Sequence, residues 1–157
     1  MNHTLDDPSA VKASIRDLLT RGATSRKSPM HTPVVGTADG DLRVMVLREY
    51  DDARHILRFH TDARSPKVAA IEADAPVGVL AYDAQAKIQI RMRGRGRVER
   101  DTPIADAKWT ESTNFARRCY LAEAGPSSVA AKPVSGLPDW AEGIQPTEGQ
   151  VAPARPN

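Results

Sequence analysis

The sequence predicts an α+β fold, mostly antiparallel sheet with helices between the strands. Short runs of β-branched and aliphatic residues alternate between two faces, as half-buried strands do. Asp39-Gly40 is a tight-hairpin pair, and the strands follow one another as a meander, without the regular strand-helix alternation of a parallel sheet. Three segments carry helix-start chemistry: Asp7-Pro8 and Ser65-Pro66, each a capping residue followed by proline, and Asp101-Thr102-Pro103.

From the N-terminus, Val11, Ile15, Leu18 and Leu19 recur at helical spacing until Gly22, which reads as a stop. Residues 21–32 are polar and lead into a strand near Pro33 to Thr37. Residues 38–41 form a turn, Leu42 to Tyr50 reads as one strand, and His55 to Thr61 as the next. A short helix from Ser65 ends before Pro76. Val77 to Asp83 and Lys87 to Arg100 are two strands joined at residues 83–86, with Gly94 and Gly96 suggesting a bulge or bend. A further helix is expected from Pro103 to about Leu121, with Trp109, Phe115 and Ala116 buried. From Gly125 onward prolines recur among Gly, Ser, Ala and Glu, and the tail is expected to be largely irregular and partly mobile.

Length and composition bound the function. At 157 residues the chain suits one domain, and 4% aromatic content leaves few large rings for a core. The net charge of +2 is too mild to demand a polyanionic partner, although clustering could still build an anion site. The single cysteine, Cys119, excludes an intramolecular disulfide and reads as a small packing residue. No apolar stretch follows a basic start, and the longest apolar run, Val77 to Tyr82, is far short of the ~20 residues of a spanning helix. A soluble cytoplasmic protein is expected. His3, His31, His55 and His60 show no metal-ligand spacing, and the sequence lacks a nucleophile elbow, a phosphate loop and a dinucleotide fingerprint.

The strongest local signal is Thr61-Asp62-Ala63-Arg64-Ser65-Pro66-Lys67, a strand end turning into a helix start. A helix N-terminus presents unpaired N–H groups and about half a positive charge, so it favours an anion. Arg64 and Lys67 add cations, and Thr61 and Ser65 add hydroxyls. A capped helix with solvated Arg and Lys reads equally well. Arg43 and Arg48 lie in an otherwise apolar run, where a cation asks for an anion. Their spacing of five puts them on opposite faces unless the strand twists or bulges, and edge arginines reaching solvent are the alternative. In Lys87–Arg97, Ile88, Ile90 and Met92 fall on one face and Gln89, Arg91, Arg93, Arg95 and Arg97 on the other. Between residues 87 and 100, six Lys or Arg stand against one Glu, a local charge of +5. This segment reads as a solvated face, a nucleic-acid groove, or part of an anionic cofactor site with Gln89 as polar reader. Without interleaved aromatics the nucleic-acid reading is the weakest.

Taken in order, Arg43-Val44-Met45-Val46-Leu47-Arg48, then Phe59-His60-Thr61-Asp62-Ala63-Arg64-Ser65-Pro66-Lys67, then Gln89 ahead of Arg91-Met92-Arg93-Gly94, resemble the FMN-binding signature of the pyridoxamine 5'-phosphate oxidase-like family. Trp109 through Leu121 is similar to the later helix of a subgroup, so the resemblance covers roughly residues 10–140. It implies a split β-barrel with flanking helices, a homodimer, and FMN in clefts between subunits. By matching position it implies that Arg43, Arg64, Ser65 and Lys67 hold the FMN phosphate, with Thr61 and the His60 backbone beside it. Gln89 would approach the flavin ring, and Arg48 would line the same cleft. Related split barrels also use deazaflavin or haem.

The family's substrate-phosphate set of Tyr, Arg and Ser is not recognisable between Trp109 and Arg117, so pyridoxine-phosphate oxidation is not the expected reaction. Family members also continue into further strands beyond the point where this chain stops, so a truncated barrel is expected. The domain reads as 1–124, with 125–157 as an irregular segment of the same domain. The leading expectation is an FMN-dependent oxidoreductase of unknown substrate, with no side chain assignable as catalytic. A non-catalytic flavin-binding or stress-response protein, a nucleic-acid binder and a fragment without function are the alternatives.

Overall fold

A computed structural model describes residues 7–155. The readings made for residues 1–6, including His3, and for Pro156 lie outside the described residues. The chain divides into two compact units, Met1–His60 with Ala75–Gly96 and Thr61–Asp74 with Arg97–Asn157.

The first unit holds every strand among the described residues. Helix α1 (Pro8–Thr24) begins where expected, with the Asp7 carboxylate accepting from the Ser9 N–H at 3.2 Å. It does not stop at Gly22. A Cβ there would sit 2.8 Å from the Met30 carbonyl oxygen and 2.9 Å from Met30 Cβ, so this glycine serves close approach, and His31 Nδ1 donates to the Gly22 carbonyl at 2.7 Å. The helix ends two residues later at Thr24. Strand β1 (Val34–Thr37) turns through Gly40, at φ +84°, into β2 (Leu42–Val44).

The expected continuous strand from Leu42 to Tyr50 is two strands in two sheets. The order β2-β1-β5-β6 makes one antiparallel sheet, with β5 (Pro76–Asp83) and β6 (Ile88–Arg95), while β3 (Leu47–Asp51) pairs with β4 (Ile56–Phe59) in another. The break falls at Met45-Val46, and beyond it Leu47, 1% exposed, enters the core. Leu18 and Leu19 of α1, Met30, Leu47, Ala81 and Ile90 form that core. Each large side chain buried there contributes about 1.5–3 kcal/mol against the chain's conformational entropy. Strand β6 alternates as expected, with Ile90 buried and Gln89, Arg91, Arg93 and Arg95 exposed. The bulge expected from Gly94 and Gly96 is absent. Register runs unbroken from Pro76↔Arg95 to Asp83↔Ile88, and the strand simply ends as the Gly96 N–H donates to the Ala75 carbonyl at 2.6 Å.

The second unit is helical. Helix α2 (Pro66–Ala73) starts at Ser65. The single helix expected to reach Leu121 is instead α3 (Pro103–Glu111) and α4 (Asn114–Arg117), followed by a 3-10 turn. The break falls at Ser112-Thr113, where the Ser112 hydroxyl donates back to the Lys108 carbonyl and the Thr113 hydroxyl caps the Ala116 N–H. Restarting the helix there changes its phase, so Phe115, expected inside, is 58% exposed, and Arg117 is buried in its place. Trp109 and Ala116 are half-buried, and Cys119, read as a packing residue, is exposed. The tail is largely irregular, yet it contains α5 (Glu148–Val151), and its Ala141 and Val151 are fully buried.

Candidate functional site

In the second unit, the loop from Thr61 to Lys67 is organised by an acid that the sequence reading passed over. Asp62, 7% exposed, accepts from the Arg64 backbone N–H at 2.8 Å, from Arg64 Nε at 3.0 Å and from Nη2 at 2.7 Å. Burial pushes the Asp62 carboxyl up, but the hydrogen bonds from Arg64 and the charges of Arg64 and Lys67 outweigh it and hold it below its ordinary value. Arg64 in turn is raised, first by its hydrogen bond to Asp62. Its Nη1 reaches the Ala122 carbonyl at 2.8 Å, which ties the loop to the segment after α4. Gly125 completes this contact, since a Cβ there would lie 2.8 Å from Arg64 Cβ.

With the loop held from behind, its hydroxyls and lysine converge. Ser65, 3% exposed, stands at the N-cap of α2, but its side chain makes no capping hydrogen bond. Instead Lys67 Nζ donates to Ser65 Oγ at 2.5 Å and to Thr61 Oγ1 at 3.1 Å. A hydroxyl that accepts from an ammonium keeps its own hydrogen to donate. Thr61, Ser65 and Lys67 therefore offer two O–H donors and a cation beside the positive end of α2, the donor chemistry that a phosphate monoester needs.

The other expected site residues belong to the first unit. Arg43 on β2 is engaged within its own hairpin: it pairs with Asp41, and its Nη1 donates to Thr37 Oγ1 at 2.9 Å and weakly to the Val35 carbonyl at 3.4 Å. Asp41 and Arg43 are two residues apart on a strand edge, so their side chains share a side. The Thr37 hydroxyl donates to Asp39, and this hydrogen bond is the main cause holding the Asp39 carboxyl below its ordinary value. Arg48 is exposed on β3 at a register shift: Leu47 pairs with Phe59 and Glu49 with Arg58, leaving Arg48 as the extra residue of a bulge. The run from Arg43 to Arg48 is therefore not one regular strand. The bulge comes together with the change of sheet. His60 is half-buried directly after β4, and Gln89 is exposed on β6 opposite Tyr82.

Among the described residues no group of three His, Cys, Asp or Glu side chains is placed to hold a metal, and no helix is long and apolar enough to cross a membrane.

A family model described as pyridoxamine 5'-phosphate oxidase, FMN-binding domain, matches residues 4–100, more than half of the chain. The chain belongs to that family. As a member of the pyridoxamine 5'-phosphate oxidase FMN-binding family, it carries all eight expected site residues inside the matched span. A crystal structure of a pyridoxamine 5'-phosphate oxidase-related, FMN-binding protein from Nostoc punctiforme is 24% identical, at a TM-score of 0.58, over 85% of this chain and 74% of that one. PhzG from Burkholderia lata, solved in complex with tetrahydrophenazine-1-carboxylic acid, is 18% identical at a TM-score of 0.59, over 80% of this chain. This family member spans 63% of the PhzG chain. At these identities the two structures establish the fold: the α+β split-barrel type, here built as a four-stranded and a two-stranded antiparallel sheet rather than one closed barrel. No curated protein matches the chain.

Proposed function

We propose that the chain binds FMN by its phosphate at the start of α2 and acts as a flavin-dependent oxidoreductase on a small molecule. The observation that carries this reading is the convergence of Thr61, Ser65 and Lys67 on one point, with Ser65 withheld from capping its own helix. Lys67 balances the phosphate charge, the two hydroxyls donate to its oxygens, and the Asp62–Arg64 pair fixes the backbone that presents them. From matching family position alone, the reading adds Arg43 and Arg64 as phosphate contacts, the His60 backbone beside them, Gln89 toward the flavin ring and Arg48 along the cleft. For Arg43 and Arg64 this requires the guanidinium to be shared between its present carboxylate and the phosphate. When bound, the isoalloxazine supplies the redox chemistry, and the protein's part is anchoring and orientation. The reading also takes the chain as a cytoplasmic homodimer, for which a lone cysteine is suited.

Titration with FMN and with riboflavin, followed by flavin fluorescence, tests the phosphate cradle. FMN is expected to bind much more tightly than riboflavin. Lys67→Ala is expected to weaken FMN by about 10- to 100-fold and leave riboflavin unchanged, since a charge-assisted hydrogen bond is worth about 1.5–3 kcal/mol. Arg43→Ala is expected to act in the same direction. Equal affinity for the two flavins, or a Lys67→Ala protein that binds FMN as the parent does, would sink the reading. Turnover is tested separately, by nicotinamide-driven reduction of an added electron acceptor.

A further inference from the structure

The loop that presents Thr61, Ser65 and Lys67 is supported by Asp62 and also by the segment from Tyr120 to Gly125, which belongs to the same unit. The 3-10 turn Arg118–Leu121 ends there, and the last carbonyls of a helical turn have no partner within it. Arg64 supplies one. Its Nη1 donates to the Ala122 carbonyl at 2.8 Å and weakly to the Glu123 carbonyl at 3.4 Å, while Nη2 lies 3.5 Å from the Tyr120 carbonyl. The segment is itself anchored: Tyr120 packs edge-to-face on Trp109, ring centroids 5.3 Å apart, and the Glu123 N–H donates to the Gly136 carbonyl at 3.1 Å.

Gly125 sets how closely this segment approaches the loop. Its φ is not in the left-handed region, so backbone conformation does not call for glycine here. A Cβ would instead meet Arg64, with the Arg64 Cβ at 2.8 Å, its carbonyl oxygen at 2.9 Å and its carbonyl carbon at 3.3 Å. Carbon atoms in contact stand about 3.5–4.0 Å apart, and two of these three atoms are backbone, which cannot swing aside. Alanine at 125 would therefore displace the peptide that joins Arg64 to Ser65. That peptide carries the convergence: its Ser65 N–H donates to the Asp62 carbonyl at 3.0 Å, and Ser65 Oγ stands 2.5 Å from Lys67 Nζ.

We infer that the Tyr120–Gly125 segment is a positioning element for phosphate recognition, and that Gly125 is the residue that lets Ser65 stand where the phosphate is met. The inference rests on the FMN reading above and extends its site to a residue beyond the matched span 4–100. FMN binding and the seating of this segment are then coupled, each favouring the other by the same factor.

Parallel titrations of the parent, Gly125→Ala and Gly149→Ala with FMN and with riboflavin test the role. Gly125→Ala is expected to weaken FMN by about 10-fold, since sub-ångström misplacement of a binding group costs that order, and to leave riboflavin unchanged. Gly149→Ala, in α5 of the same unit, where nothing lies within 4 Å of an added Cβ, is expected to change neither. Hydrogen exchange of the parent, followed by NMR, needs no variant: saturating FMN is expected to slow exchange of the Glu123 N–H, and saturating riboflavin to leave it as it is. A Gly125→Ala protein that binds FMN as the parent does, equal weakening of both flavins, equal weakening by Gly149→Ala, or a Glu123 N–H that both flavins slow alike would each overturn the inference. Should Gly125→Ala fail to fold, the exchange measurement decides alone. The flavin reading fails separately and in the parent: equal affinity of the parent for FMN and riboflavin removes the phosphate cradle, and the positioning role with it, before any variant is compared.

Discussion

The Thr37–Arg43 hairpin and the Thr61–Lys67 loop each combine acidic, hydroxyl and cationic side chains within seven residues, yet they use them differently. In the hairpin, Arg43 is matched by Asp41 and Thr37, so the charge is answered locally and the cluster stitches a turn. In the loop, Asp62 is paired with Arg64 and feels the charge of Lys67 as well, and the Lys67 ammonium donates to the Thr61 and Ser65 hydroxyls. A cation next to an anion builds structure. On the proposed reading, the loop's ammonium and hydroxyls give a place where an outside anion is solvated by protein.

The largest expected effect that sharpens this contrast is Asp62→Ala. It removes three hydrogen bonds at a site 7% exposed and leaves the Arg64 N–H without its acceptor, so a loss of about 2–3 kcal/mol in unfolding free energy is expected. Chemical denaturation measures it, and FMN affinity should fall along with stability. Lys67→Ala should do the reverse, lowering FMN affinity with little change in the stability of the unliganded chain. If the two variants behaved alike, the division between scaffold and cradle would be wrong.

Acid gives a further test. The Asp62 carboxyl titrates below its ordinary value of 3.8 in the folded chain, so its contribution is fully present above that value and is lost as pH falls through the lower, folded one. Thermal midpoints recorded downward from about pH 5 should show this loss, and Asp62→Asn should flatten that part of the curve. The smallest effect is expected in the hairpin. The Asp41 side chain is 63% exposed, so Asp41→Asn should cost about 0.5 kcal/mol or less. A cost as large as that of Asp62→Ala would erase the distinction between the two clusters.

The loop cluster was visible in the sequence because it is local: a strand end, hydroxyls, cations and a proline fall within seven residues at 61–67, whereas the pairing of Arg43 with Asp41 was not read from it. Asp62 was not singled out, since a lone acid between a threonine and an alanine gives no sign of burial. Arg117 was missed for another reason. It is 4% exposed, its Nη1 held by both oxygens of Glu148 at 2.7 and 2.8 Å, its Nε by the Trp109 carbonyl at 2.9 Å, and its guanidinium stacked 5.1 Å from the Trp109 ring. Glu148 lies 31 residues further on, in a tail that reads as irregular, and no local pattern announces such a pair.

The starts of α1, α2 and α3, the two hairpin turns and the two faces of β6 were determined by the sequence alone, because capping, φ preference and side-chain alternation act over a few residues. Only the tertiary structure decided that residues 42–50 divide between two sheets, that Gly22 serves contact with Met30, and that Arg64 and Arg117 anchor segments 58 and 31 residues away. Those outcomes depend on which surfaces meet, and a guanidinium settles wherever the folded chain offers it oxygen atoms, however distant they are in sequence.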